Sequence, residues 1–293
     1  MDVWMDCRIK KLHYVMPEVH FLCLLLNRWG FAAGLDIKSQ EIEFEFKLME
    51  DYEERVIEFY GYRLELYREI MGSFSDIILP VLVPCDLYEL PYSDQFYQKE
   101  HMVHYVVLER CHSNGQVTIF DDNPSYHQEI QSAVLGKAYA SLQEQEDHLI
   151  EKYTRTVKME RGLGEVAAFL KSNVSQDSFR MKELIMQLLN TDMKKTRVVE
   201  LIQSMVLPSK RFYSLPYFVE ELNKQWPYQK AKEHYDILKK YADNWTILTN
   251  LARKYTGDNA ERMWGRFESR LVALIELEKL SKEAILDCLH TLN

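Results

Sequence analysis

The sequence predicts an α+β head over residues 1–127 and an all-helical domain over 128–293. Three observations predict it. Strand-like and helix-like segments alternate up to about residue 125. Beyond about 128, apolar residues recur at helical spacing almost without a break. Between two β-rich runs stands Asn114-Gly115, a hairpin signal.

The elements follow in order. Pro17 to Trp29 reads as a helix, with proline in the first turn and Gly30 as the stop. Its apolar content is nearly all-round, which predicts burial. Residues 42–49 alternate apolar and charged side chains, as a half-buried strand does. Residues 51–71 read as a helix, with YRLELY as an alternative extended segment. The run 78–88 is β-rich but interrupted by prolines, which suits a strand partly at an edge. Residues 104–111 and 116–121 are the two arms of the hairpin, and Asp122 to Ser125 is a turn. Then come helices over 128–158, 162–171, 181–189, 197–205, 217–225, 228–255, 259–279 and 281–292. The sixth, 228–255, is long and is expected to bend near Asp243-Asn244, and Ser281 is placed to cap the last. Trp226, Trp245 and Trp264 fall at helical spacing and are expected in the core.

Composition removes several function classes. The formal net charge is -9, which argues against a nucleic-acid binder, since such a protein needs a basic footprint. The basic clusters Lys194, Lys195, Arg197 and Lys210, Arg211 read as solvated helix ends. Five cysteines without CxxC spacing fit neither a zinc nor a disulfide framework and suit a reducing compartment. The longest apolar run, Phe21 to Leu26, is far short of a span of about 20 residues. With no export signal at the start, the expected location is the cytoplasm, with no membrane partner. There is no phosphate-cradling glycine loop. His101 and His104, three apart on an extended segment, point to opposite faces, so no metal site is expected.

The chemistry-bearing constellation has three pieces: the buried N-terminal helix, His104 opening a strand, and Asp121-Asp122 closing the paired strand. The two strand ends meet at one edge of the sheet. A carboxylate there fixes the imidazole tautomer and frees the other nitrogen as a base. Asp121 is the first choice for that role and Asp122 the second. Cysteine peptidases of the papain type use this arrangement, with a thiol at the start of a buried helix.

The segment PVLVPCDLYELPYSDQFYQKEHMVHYVVLERCHSNGQVTIFDD resembles the N-terminal domain of the butirosin-biosynthesis-protein-H family. The matching features are Asp86, Leu90-Pro91-Tyr92, His104 and Asp121. The stretches RGLGEVAAFLKSN, KRFYSLPYFVEEL and YADNWTILTNLARKY are similar, more weakly, to that family's helical region. The resemblance implies a papain-like, double-glycine-peptidase-like head. It implies transfer of an acyl or aminoacyl group from a carrier-protein thioester to an amine in antibiotic biosynthesis. The partners would be an acyl or peptidyl carrier protein, which brings its own phosphopantetheine, and an amine acceptor. No cofactor of the chain itself is expected.

One departure stands out. Families of this fold carry a cysteine about thirteen residues before the glycine that ends the helix, and an asparagine three before it. Asn27 and Gly30 match, but the nucleophile slot falls on Pro17. Cys23 lies about 9 Å further along such a helix, and Cys7 precedes it. Three readings stay open: Cys7 or Cys23 as nucleophile, direct attack of the amine with His104 as base, or a degenerate site that only binds. A thioesterase or peptidase is a further alternative. His20, Asp86 and Tyr92 are the candidates for binding substrate, with His20 as a core histidine and Asp86 as a turn residue the structural alternatives.

Overall fold

Three consecutive β-rich runs lay down the frame of the protein in a computed structural model. It describes residues 7–26, 32–36, 39, 41–45, 47–67, 78–122, 125–143, 149–176, 181–205, 212, 214–255 and 258–292. The runs are β4 (Val81–Asp86), β5 (Val103–Cys111) and β6 (Gln116–Asp122). With β3 (Tyr62–Tyr67), β7 (Ser125–Gln131) and β8 (Ile150–Arg155) they form one antiparallel sheet of six strands, in the order β3-β8-β4-β5-β6-β7. The Asn-Gly hairpin joins β5 to β6. Gly115 has φ +79°, a conformation that glycine adopts without steric cost. The register pairs Val107 with Phe120 and Leu108 with Ile119, and shifts between Leu108 and Arg110.

Alternation along the strands assigns the two faces. On one, Val83, Val106, Leu108, Val117 and Ile119 are buried with Leu135, Ala138 and Tyr139 of helix α4 (Ser132–Gln143). On the other lies helix α1 (Cys7–Val15), which contacts β4, β5 and β6. Tyr14 stacks on Phe120 at 4.6 Å, and Arg8 lies over the Tyr105 ring at 5.2 Å. These elements belong to one compact unit, Asp6–His20 with Val56–Glu160.

The second unit comprises Met1–Met5, Phe21–Arg55 and Arg161–Asn293. It holds helix α2 (Phe21–Leu26), a two-stranded antiparallel ribbon of β1 (Ala32–Asp36) and β2 (Glu41–Glu45), and most of helix α3 (Lys47–Phe59). Helices α5 (Leu163–Gln176), α6 (Met181–Asn190), α7 (Lys195–Ser204), α8 (Ser214–Gln225), α9 (Ala231–Lys254) and α10 (Asp258–His290) complete it. The longest pair, α9 and α10, pack together around Tyr241, Trp245, Phe267 and Leu271. Trp226 and Trp264 are half-buried rather than in the core; Lys195 lies over the Trp264 ring at 4.2 Å.

The chain is α+β, as expected, but several elements differ from the sequence reading. The helix expected from Pro17 begins at Phe21; residues 27–30 lie outside the described residues. Val19 N–H donates to the Met16 carbonyl at 3.1 Å, so Pro17 is the second residue of a turn, a position its fixed φ suits. The expected helix 128–158 is instead the end of β7, α4 and β8, because β6 offers an open edge that 125–131 pairs along its whole length. Residues 51–71 divide into α3 and β3, the alternative extended reading of YRLELY. The two last helices are one, α10, and Ser281 is buried within it rather than at a cap. The boundary expected at 127 therefore falls inside the unit that carries the sheet. No helix among the described residues is long and apolar enough to cross a membrane.

Candidate active site

The antiparallel pairing of β5 with β6 brings the start of one to the end of the other. His104 and Asp121 meet there. His104 Nε2 is 2.9 Å from each carboxylate oxygen of Asp121. Both residues are buried. Tyr92, in the loop between β4 and β5, donates its hydroxyl to Asp121 Oδ2 at 3.0 Å and stacks on Tyr126 at 4.0 Å.

The residue that the sequence did not single out is Lys11. It sits on α1, and its side chain is completely buried. The ammonium lies 3.0 Å from Asp121 Oδ1 and 2.7 Å from Asp122 Oδ1. Neighbouring carboxylates point to opposite sides of the strand, and the lysine reaches both because α1 crosses near the strand end. Lys10 adds a weaker contact to Asp122, at 3.5 Å. Two carboxylates thus face two ammonium groups, so the burial of charge is compensated by pairing. No local signal in the sequence marks Lys11.

Electrostatics set the protonation states. Burial alone would raise the Asp121 carboxyl, but the His104 hydrogen bond, with the Lys11 ammonium, reverses this and holds it below the ordinary carboxylate range. Tyr92 is pushed far up by burial and by the negative charge around it, so it stays a donor. An ionised Asp121 only accepts, so Nε2 of His104 carries the hydrogen. The neutral imidazole then presents a lone pair at Nδ1, which no group among the described residues engages. Such a ring can take a proton at Nδ1 while its conjugate cation is stabilised by Asp121.

The remaining candidates separate clearly. Asp86 caps the short 3-10 helix Leu87–Glu89 and accepts from the backbone N–H of Tyr88 (3.0 Å) and Met102 (3.1 Å), from Ser141 Oγ (3.1 Å) and from His101 Nδ1 (2.6 Å). It orders a turn, as one of its two expected roles required. His20 is half-buried, in the segment that follows α1, and no hydrogen bond joins it to His104. Cys7 is the first residue of α1, and its side chain is outside the described residues. Cys23 is buried in α2, in the other unit. Pro17 is exposed in its turn. Cys85, which sequence reasoning passed over, is the ladder partner of His104; its buried thiol is 3.7 Å from the His104 carbonyl oxygen. His101 and His104 each face their own carboxylate and do not converge on a common point.

Neither a protein-family model nor a curated protein matches this chain.

Proposed function

We propose that the protein transfers an acyl or aminoacyl group from a carrier-bound thioester to an amine, on a papain-like head, within the biosynthesis of a specialised metabolite. One observation carries the reading: the buried His104–Asp121 pair, bonded through Nε2 and with no partner at Nδ1 among the described residues. A helix packed on an antiparallel sheet, with histidine at a strand start and aspartate at the adjoining strand end, supports the papain-like part.

In the reaction, the amine nitrogen attacks the thioester carbon. Its proton goes to His104 Nδ1, the C–S bond breaks, and the thiolate takes the proton back from the imidazolium. Thioesters are already activated, so orientation and proton removal can suffice. The acyl or peptidyl carrier protein supplies the phosphopantetheine arm, and the setting is the cytoplasm.

A second reading is a non-catalytic binding protein of the same pathway. Lys11 and Tyr92 favour it, because they already account for Asp121 as a structural anion. The two readings are separated by incubating the protein with acyl and aminoacyl N-acetylcysteamine thioesters and a primary amine, and reading amide by mass spectrometry. The expected outcome is amide formation that falls on the order of 10²–10⁴-fold in His104→Ala. Amide formation equal in the two proteins, or none in either, sinks the catalytic reading. Free acid released without amine identifies a hydrolase.

A further inference from the structure

In the second unit a phenol, an imidazole and a thiol converge. Tyr228 precedes helix α9, His234 lies in its first turn, and Cys288 lies in the last turn of α10. Their polar atoms form a triangle. Tyr228 Oη is 2.9 Å from Cys288 Sγ, Cys288 Sγ is 3.1 Å from His234 Nδ1, and Tyr228 Oη is 3.3 Å from His234 Nδ1. Cys288 and His234 are buried, and Tyr228 is half-buried.

The other imidazole nitrogen faces a carboxylate. His234 Nε2 lies 3.5 Å from Asp287 Oδ2, and Lys230 pairs with the same oxygen at 2.9 Å. The Lys230 hydrogen bond and charge hold the Asp287 carboxyl below its ordinary range. Burial lowers the His234 value, so the ring is neutral at pH 7. The ionised carboxylate draws the one ring hydrogen to Nε2 and leaves Nδ1 bare. Two hydrogens, Tyr228 O–H and Cys288 S–H, then serve three short edges. One edge is left with lone pairs facing each other in a buried place, which costs free energy.

A cation seated against the triangle engages all three lone pairs at once. Zinc bonds run to about 2.3 Å for sulfur and about 2.0–2.2 Å for nitrogen and oxygen. Tetrahedral angles then set the ligand atoms about 3.3–3.6 Å apart. The nitrogen–oxygen edge already fits, and seating the ion requires Cys288 Sγ to withdraw by roughly half an ångström. Asp287 at the far nitrogen is the outer carboxylate by which a metal-bound histidine is oriented. A dication bound by one thiolate and one phenolate carries no net charge, which suits burial. Burial pushes the uncoordinated Cys288 thiol up to about 12; a bound dication removes its proton. No group of three or more His, Cys, Asp or Glu side chains suited to a metal occurs among the described residues, so tyrosine has to supply the third ligand.

We propose that Tyr228, His234 and Cys288 bind a single zinc ion, which ties the start of α9 to the end of α10. Three protein ligands leave the fourth position to water. The ligands lie 6 and 54 residues apart, so the cysteine spacing carries no zinc signature. The site does not depend on the acyl-transfer reading.

The test takes the full chain, stripped of metal by a chelator, and titrates it with zinc and with cobalt(II). One equivalent of zinc is expected to bind, raise the Tm and release protons. Cobalt is expected to give a thiolate-to-metal charge-transfer band in the near ultraviolet. The band should vanish in Cys288→Ala and persist in Cys85→Ala. Asp287→Asn, a surface change, should weaken zinc binding about 10–100-fold. A wild-type protein that binds neither ion, or binds cobalt without the band, overturns the proposal. A band that persists in Cys288→Ala, or an unchanged zinc affinity in Asp287→Asn, overturns it as well.

Discussion

Lys11 holds the acidic end of β6 together. Replacing it by methionine leaves Asp121 and Asp122 buried with less compensation, and removing one partner of a buried pair costs roughly 3–5 kcal/mol. Urea unfolding at pH 7 should show a loss of that order for Lys11→Met. The loss has a pH window. The Asp121 carboxyl lies below its unfolded value near 4. Its contribution is therefore fully present above about pH 4 and is lost as pH falls through the lower folded value. The gap between wild type and variant should narrow below about pH 4; a constant gap down to pH 3 contradicts the pairing. His104 and Asp121 were legible in the sequence because strand starts and hairpin ends can be read from local pattern. Lys11 was not, since its meaning depends on a strand more than a hundred residues away.

Helix α10 shows what local pattern misses at the scale of an element. Its 33 residues span about 50 Å, and Ser281 does not interrupt them. Serine caps helices only where the preceding residues leave helical geometry, and Leu280 does not. One turn earlier, Glu278 is buried, and neither carboxylate oxygen has a close hydrogen-bond partner among the described residues. The N–H groups of Met181 and Lys182, at the start of α6, face it at longer range. Burial pushes the Glu278 carboxyl up to about 8, helped by the charge of Glu183. A raised carboxyl means that the folded protein binds the proton more tightly than the unfolded chain. Stability is then greatest below about pH 4.5 and declines as pH rises towards 8, where the penalty levels off. At pH 7 the penalty is on the order of 3 kcal/mol. Glu278→Gln should raise stability by about that amount in urea unfolding at pH 7 and flatten its pH dependence between these limits. A variant less stable than wild type at pH 8 removes the account. The sequence placed Glu278 correctly in a helix, but the helical period alone does not say which glutamate faces inward.

For the molecule as a whole, the sheet order decides what can fold alone. Strand β8 lies between β3 and β4, although 63 residues separate β8 from the end of β4 in sequence. A fragment ending at residue 127 lacks β8, most of β7 and all of α4. It should show no cooperative thermal unfolding transition by circular dichroism; a sharp transition in that fragment contradicts the sheet order. Composition, the hairpin, the α+β class and the His–Asp candidate pair were determined by the sequence alone, because turn chemistry and hydrophobic period are local properties. The resemblance to the butirosin-biosynthesis-protein-H family supplied the expected reaction, which the site geometry supports as a proposal. Only the tertiary structure decided that 125–131 and 150–155 are strands, that α1 packs on the sheet, and that Lys11 joins the site. Each of these depends on an edge, a face or a charge supplied by distant chain, and no local propensity encodes that.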